Sequence, residues 1–184
     1  QTEKLILNNK LADITILEVG FGSGIISIEL ALAFPEAQIY AWDISDKAFS
    51  VAQENVKAFQ VKNVTLIKKD FFSDIATVKK ILSNSKNSLL VSNPPYIPTI
   101  DIGTLDSVVK DHEPATALDG GTDGLDFYRR ILCEFANTSF LNIFLEIGVN
   151  QKPDLVDLLE KYNLKNYFFY TDLANIPRVL EINK

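Results

Sequence analysis

Methionine is absent from the 184 residues, and cysteine and histidine occur once each, as Cys133 and His112. A lone cysteine closes no internal disulfide, which excludes a small stapled secreted scaffold and points to a reducing cytoplasm. The same scarcity leaves too few ligands for a His/Cys metal site and too few partners for a Ser–His–Asp relay, so no metal is expected. No apolar run reaches the roughly 18 residues of a membrane span. Basic residues are outnumbered, 18 against 24 acidic ones, and the net charge of −6 repels a polyanion, so nucleic acid is a disfavoured partner. Gln1–Lys4 carries neither a start methionine nor a signal peptide and reads as the beginning of a piece whose upstream part is missing.

What is present is ordinary globular composition, 47% hydrophobic and 23% charged, in a length that suits one domain over residues 1–184. Short β-rich runs alternate with amphipathic segments. The pattern predicts strands at 14–19, 38–42, 64–68, 89–92, 141–147, 167–171 and 178–182. It predicts helices at 23–34 (stopped by Pro35), 45–59, 75–82, 125–136 and 153–162. The last two strands are joined without room for a helix and must be antiparallel neighbours. The expected fold is an α/β doubly wound sheet of seven strands, mostly parallel with the last strand antiparallel. Ligands of such sheets bind beyond the carboxyl ends of the strands, where strand order reverses. Residues 97–122 lack a period, and a loop that long inside a compact domain tends to be functional.

The residues after the first strands carry the chemistry. Glu18-Val19-Gly20-Phe21-Gly22-Ser23-Gly24 places alternate glycines between a strand and a helix. A dinucleotide fingerprint would need Gly or Ala at residue 25, which is Ile25, and no phosphate loop of the G-x-x-x-x-G-K-[ST] type exists. An acidic residue followed by G-x-G-[ST]-G resembles the first motif of class I methyltransferases that use S-adenosylmethionine. The resemblance implies a Rossmann-like fold and that cofactor. It places the loop Gly20, Phe21, Gly22, Ser23 and Gly24 against the methionine moiety, with Glu18 orienting the loop. A ligand-free Gly-rich turn is the plain alternative.

Asp43 lies 19 residues beyond Gly24, where a carboxylate can accept from two vicinal ribose hydroxyls. That geometry is shared with NAD, and a helix N-terminal acid would look the same. Asp70 can accept from an adenine amino group and Phe71 can stack on its ring; in the resembling family this position grips adenine. A turn residue and a core aromatic are the competing readings.

Asn93-Pro94-Pro95-Tyr96 is the most specific signal. Two prolines fix two φ angles and remove two backbone donors, leaving carbonyls that only accept. Asn93 adds a side-chain carbonyl and Tyr96 a ring that packs on a planar group. Asn93 and Pro94 can hold both N–H bonds of an NH₂ group, turning its lone pair toward a sulfonium methyl. Two groups of methyltransferases share this tetrapeptide, one acting on the exocyclic amine of adenine in DNA or RNA, the other on glutamine amides. The chemistry serves both.

The net charge favours glutamine. So does a resemblance spanning nearly the whole chain. It runs through Thr2–Leu5, Val108–Gly121, Asp123-Gly124-Leu125, Tyr128-Arg129, Phe144–Gly148 with Gln151, and Arg178-Val179, all similar to release factor glutamine methyltransferases. The resemblance implies N5-methylation of the glutamine in the Gly-Gly-Gln tip of class 1 peptide chain release factors. A close relative that modifies a ribosomal protein remains an alternative. It also implies a helical N-terminal docking domain, which is expected to belong to the missing upstream part. His112 stands where that family often has Phe, and Pro177 where an acidic residue is common. Glu113, in the loop, is a candidate for shaping the substrate site. Arg129 and Arg130 are read as solvent-facing, and Cys133 as a small core residue beside Ile131, Leu132 and Phe135.

Overall fold

The computed structural model describes residues 14–106, 114–138 and 141–183. Along the chain these form β1 (Ile14–Val19), α1 (Ile25–Ala33), β2 (Gln38–Asp43), α2 (Asp46–Ala58) and β3 (Val64–Lys68). A 3-10 turn at Phe71–Asp74 leads into α3 (Ile75–Ser83) and β4 (Asn87–Ser92). There follow a 3-10 turn at Thr99–Thr104, the short α4 (Ala115–Leu118), α5 (Asp126–Phe135), β5 (Leu141–Glu146), α6 (Lys152–Lys161), β6 (Tyr167–Thr171) and β7 (Pro177–Ile182).

The seven strands form one sheet in the order β3-β2-β1-β4-β5-β7-β6. β1 runs parallel to both β2 and β4, and β2 to β3. β6 and β7 pair antiparallel, as their short connection requires. Order reverses between β1 and β4, which makes the carboxyl ends of β1 and β2 the expected ligand side. By density of contact the chain divides into two units, one running to Ser92 and taking in β5 as far as Phe144, the other from Asn93 onward with Leu145 to the end.

In the first unit every residue of β1 is buried, the pattern of a parallel strand covered on both faces. Ile16, Leu17, Ile39, Trp42, Leu89 and Leu90 form its centre. α2 packs through Ala52, which joins Phe21 and Ala41 in one buried cluster. Its Ser45 side chain accepts from the Ala48 N–H as an N-cap. In the second unit α5 buries Tyr128, Ile131, Leu132 and Phe135, an i, i+3, i+4, i+7 stripe. Cys133 lies off that stripe and is exposed, so its expected core placement is corrected. Arg129 is not simply solvated, since it pairs with Asp123 and Asp126.

Most boundaries agree with the sequence to within two residues. α1 starts at Ile25 rather than Ser23 because Gly24 is left-handed, with φ 81°, a conformation that suits glycine and ends the loop. β4 starts two residues early, since Asn87 and Ser88 still pair with Ile14 and Thr15. The aperiodic loop carries a 3-10 turn and α4, and Ile97 makes a lone parallel bridge to Asp119. No helix among the described residues is long and apolar enough to cross a membrane.

Candidate functional site

The glycine loop leaves β1 pinned to the end of β2, where the N–H groups of Gly20 and Phe21 both donate to the Trp42 carbonyl, at 2.8 and 3.2 Å. The Gly22 N–H donates to Asp43 Oδ2 at 2.9 Å, and the Ser45 N–H to Asp43 Oδ1 at 2.9 Å. Asp43 thereby ties the loop to the start of α2, and each oxygen keeps capacity for a further donor such as a ribose hydroxyl. Ser45, not Asp43, caps the helix. Asn55, one turn from the end of α2, donates to the Ser23 carbonyl at 2.9 Å. Nothing lies within 4 Å of where a side chain at Gly20 or Gly22 would point, so the exposed edge of the loop faces open space.

Glu18 sits beneath this loop, 1% exposed. Its carboxyl accepts from the Ser27 hydroxyl and from the Ser27 backbone N–H in the first turn of α1. Burial pushes its pKa up to about 8, with the Ser27 bonds opposing and Asp43 adding to the shift. The acid thus anchors the helix that follows the loop.

Two aromatic side chains of the expected site face inward, and for Phe71 this corrects the expected stacking. Phe21 points into the core, packing against Phe49 with ring centroids 6.4 Å apart, so only its backbone belongs to the loop surface. Phe71 is 2% exposed and meets Trp42 and Phe72 edge to face, with centroids 5.3 and 5.4 Å away. A ring buried on that scale offers no face to an adenine, and the core reading applies. The cause is local. Asp70 accepts from the Phe72 N–H at 3.1 Å and starts the 3-10 turn, which swings Phe71 inward and leaves Phe72 half-buried. Beneath it, Asp74 accepts from the Trp42 indole N–H at 3.1 Å and pairs with Lys69.

Asn93 follows β4 directly and is exposed; Pro94 is buried, and Pro95 and Tyr96 are half-buried. Within the second unit the turn is held at Tyr96. The Tyr96 hydroxyl donates to Glu146 Oε1 at 3.2 Å and accepts from Arg178 at 3.3 Å, while Arg178 and Glu146 pair at 3.2 Å. The Arg178 guanidinium also stands 5.9 Å from the Tyr96 ring centre. Burial raises the Tyr96 pKa, so the phenol stays protonated.

Gln151 donates to the Tyr96 carbonyl at 2.9 Å. Gly124, with φ 75°, packs so closely that a side chain there would meet the Tyr96 carbonyl at 2.4 Å. Downstream, the Ile97 N–H donates to Leu118 and its carbonyl accepts from Gly120. Glu146, Gln151 and Arg178 entered the sequence reading only as points of resemblance. Ser27 and Asn55 were missed entirely, because a polar residue on a helix gives no hint of which loop it will meet. Glu113 and the segment around it lie outside the described residues.

The glycine loop and Asp43 present an open backbone edge and a carboxylate, which fits a nucleoside cofactor. The turn leaves Asn93 exposed and is held at Tyr96 by Glu146, Arg178 and Gln151.

Comparison with known proteins follows the same lines. A family described as methyltransferase domain matches residues 10–110. The chain is 36% identical over 169 residues to the release factor glutamine methyltransferase of Geobacter sulfurreducens, covering 90% of this chain and 56% of that protein. It is 42% identical over 148 residues to the protein of the same name from Bacillus cereus, covering 79% and 50%. The likeness to that of Thermodesulfovibrio yellowstonii is 35% over 188 residues, covering 99% and 64%. The chain therefore spans about half to two thirds of the length of these curated relatives. Among solved structures, the N-terminal domain of human METTL16 aligns with a TM-score of 0.69 at 15% identity, covering 98% of this chain and 66% of that one. A ribosomal protein L11 methylase from Lactobacillus delbrueckii subsp. bulgaricus aligns with a TM-score of 0.59 at 17% identity, covering 99% and 76%. These last two likenesses speak for the fold.

Proposed function

The chain belongs to the methyltransferase domain family, and we propose that it methylates the side-chain amide nitrogen of a glutamine, that of the Gly-Gly-Gln segment of a class 1 peptide chain release factor. S-Adenosylmethionine, the cofactor that goes with this family, supplies an electrophilic sulfonium methyl. Gly20, Gly22, Ser23 and Gly24 hold it through backbone, with Phe21 and Glu18 supporting the loop from the core side. Asp43 accepts from the ribose hydroxyls and Asp70 from the adenine amino group.

The observation that carries the reading is the turn Asn93-Pro94-Pro95-Tyr96, exposed at Asn93 and tied down at Tyr96. Asn93 Oδ1 and the Pro94 carbonyl accept the two amide N–H bonds and turn the nitrogen lone pair out of conjugation. Their dipoles then face the positive charge that gathers on nitrogen. The proton that nitrogen loses is strongly acidic, so no general base is needed and it passes to water. Pro95 stiffens the turn, and the Tyr96 ring packs on the planar amide. The names of the curated relatives support a release factor as the partner.

The test is transfer of a radiolabelled methyl from S-adenosylmethionine to three acceptors: a release factor, the same factor with its Gly-Gly-Gln glutamine replaced by Ala, and mixed RNA and DNA. Label on the first alone is expected. Label on nucleic acid would replace this reading with adenine methylation, and label on none would remove the enzyme.

A further inference from the structure

We propose that Gln151 is a positioning residue that sets the orientation of the Asn93–Tyr96 turn through the Tyr96 carbonyl; this rests on the reading above. Gln151 is 8% exposed and stands at the entry to α6. Its amide is fully used. Nε2 donates to the Tyr96 carbonyl at 2.9 Å and to the Gly124 carbonyl at 3.1 Å. Oε1 accepts from the Gly148 N–H at 2.8 Å and lies 3.3 Å from the Tyr128 hydroxyl. One side chain therefore joins the turn, the glycine loop of residues 120–124 and the segment after β5. With φ fixed at Pro94 and Pro95, the turn's remaining freedom is in its ψ angles. Holding the Tyr96 carbonyl fixes the peptide plane that closes the turn. Glu146 and Arg178 hold the ring end of the same residue. Gln151 thus acts on Asn93 and Pro94 without touching the substrate amide.

Gln151→Glu separates this role from packing. The carboxylate keeps an acceptor for Gly148 but aims a charged oxygen at two carbonyls. Its protonated form restores one donor to Tyr96. Burial and those carbonyl lone pairs hold the substituted acid in a range reachable by titration. Tyr96 and Tyr128 contact the position, Glu146 and Arg178 meet the Tyr96 hydroxyl nearby, and Glu18 titrates in the same window, but all are common to both proteins and cancel in the ratio of variant to wild type. The expected result at pH 8.5 is a kcat for glutamine methylation roughly 30- to 100-fold below wild type, with cofactor Kd within about 3-fold. The ratio should recover by about tenfold or more as pH falls to 5.5. Amide exchange of Ile97 and Thr99, which donate to Leu118 and Gly121, should quicken in the variant at high pH and slow again at low pH, relative to wild type. A pH-independent ratio, or unaltered protection of those two amides, overturns the role of Gln151. A wild-type chain that methylates no glutamine overturns the parent reading instead, while the exchange measurement still decides whether Gln151 holds the turn.

Discussion

Replacing Glu18 with Gln should make the protein's stability fall less as pH rises. Glu18 is almost wholly buried, and its pKa goes from 4.5 to about 8 in the folded chain, chiefly through desolvation. An unfolded chain ionises the same group near its ordinary value. Between the two values the folded state keeps a proton that the unfolded state has lost, so stability falls as pH rises, by about 1.36 kcal/mol per unit. The contribution is fully present below the unfolded value and is lost by the time pH passes the folded one. From pH 5.5 to 8, roughly 2.5 units, the loss is about 3 kcal/mol. The substituted amide has nearly the shape of the neutral acid, can still accept from Ser27, and does not titrate. Urea unfolding of both proteins at pH 5.5 and 8.5 isolates the effect, because every other titrating group cancels in the difference. The variant should match wild type to within about 1 kcal/mol at pH 5.5 and exceed it by about 3 kcal/mol more at pH 8.5. A difference that stays flat across that range would refute the argument, since it would mean the folded protein carries Glu18 ionised and stabilised by Ser27.

Asn93→Ala removes one acceptor and should lower kcat by about 10²–10³, with cofactor Kd in calorimetry little changed; equal losses in both would mean its role is misassigned. Asp43→Ala should do the reverse, weakening cofactor binding by roughly 10- to 100-fold as the ribose acceptor and the Gly22 tie are lost together; an unchanged Kd would count against the ribose contact. Gly124→Ala places a side chain against the Tyr96 carbonyl at a left-handed φ, and thermal melting should show a loss of about 2 kcal/mol or more; a melting point equal to wild type would show that the loop yields.

Much of this protein was determined by local pattern. Strands read as short β-rich runs between amphipathic segments, and β1, β3 and β6 fall where that pattern puts them; β1 is buried throughout. The antiparallel β6–β7 pair followed from the length of its connection. Gly20–Gly24, Asp43 and Asn93–Tyr96 were visible because glycine, proline and a carboxylate after a strand each impose a local constraint that needs no partner to be read. Side-chain direction was decided by tertiary structure. Phe71 and Phe72 are neighbours of one type, and only the turn begun by Asp70 sends the first inward. Cys133 sits among apolar residues in sequence yet faces out, because helical phase sets burial. The bonds of Glu18 to Ser27, Asn55 to Ser23 and Gln151 to Tyr96 join residues 9, 32 and 55 positions apart. A hydrogen bond depends on distance and angle between two groups, and a linear sequence fixes neither until the chain has packed.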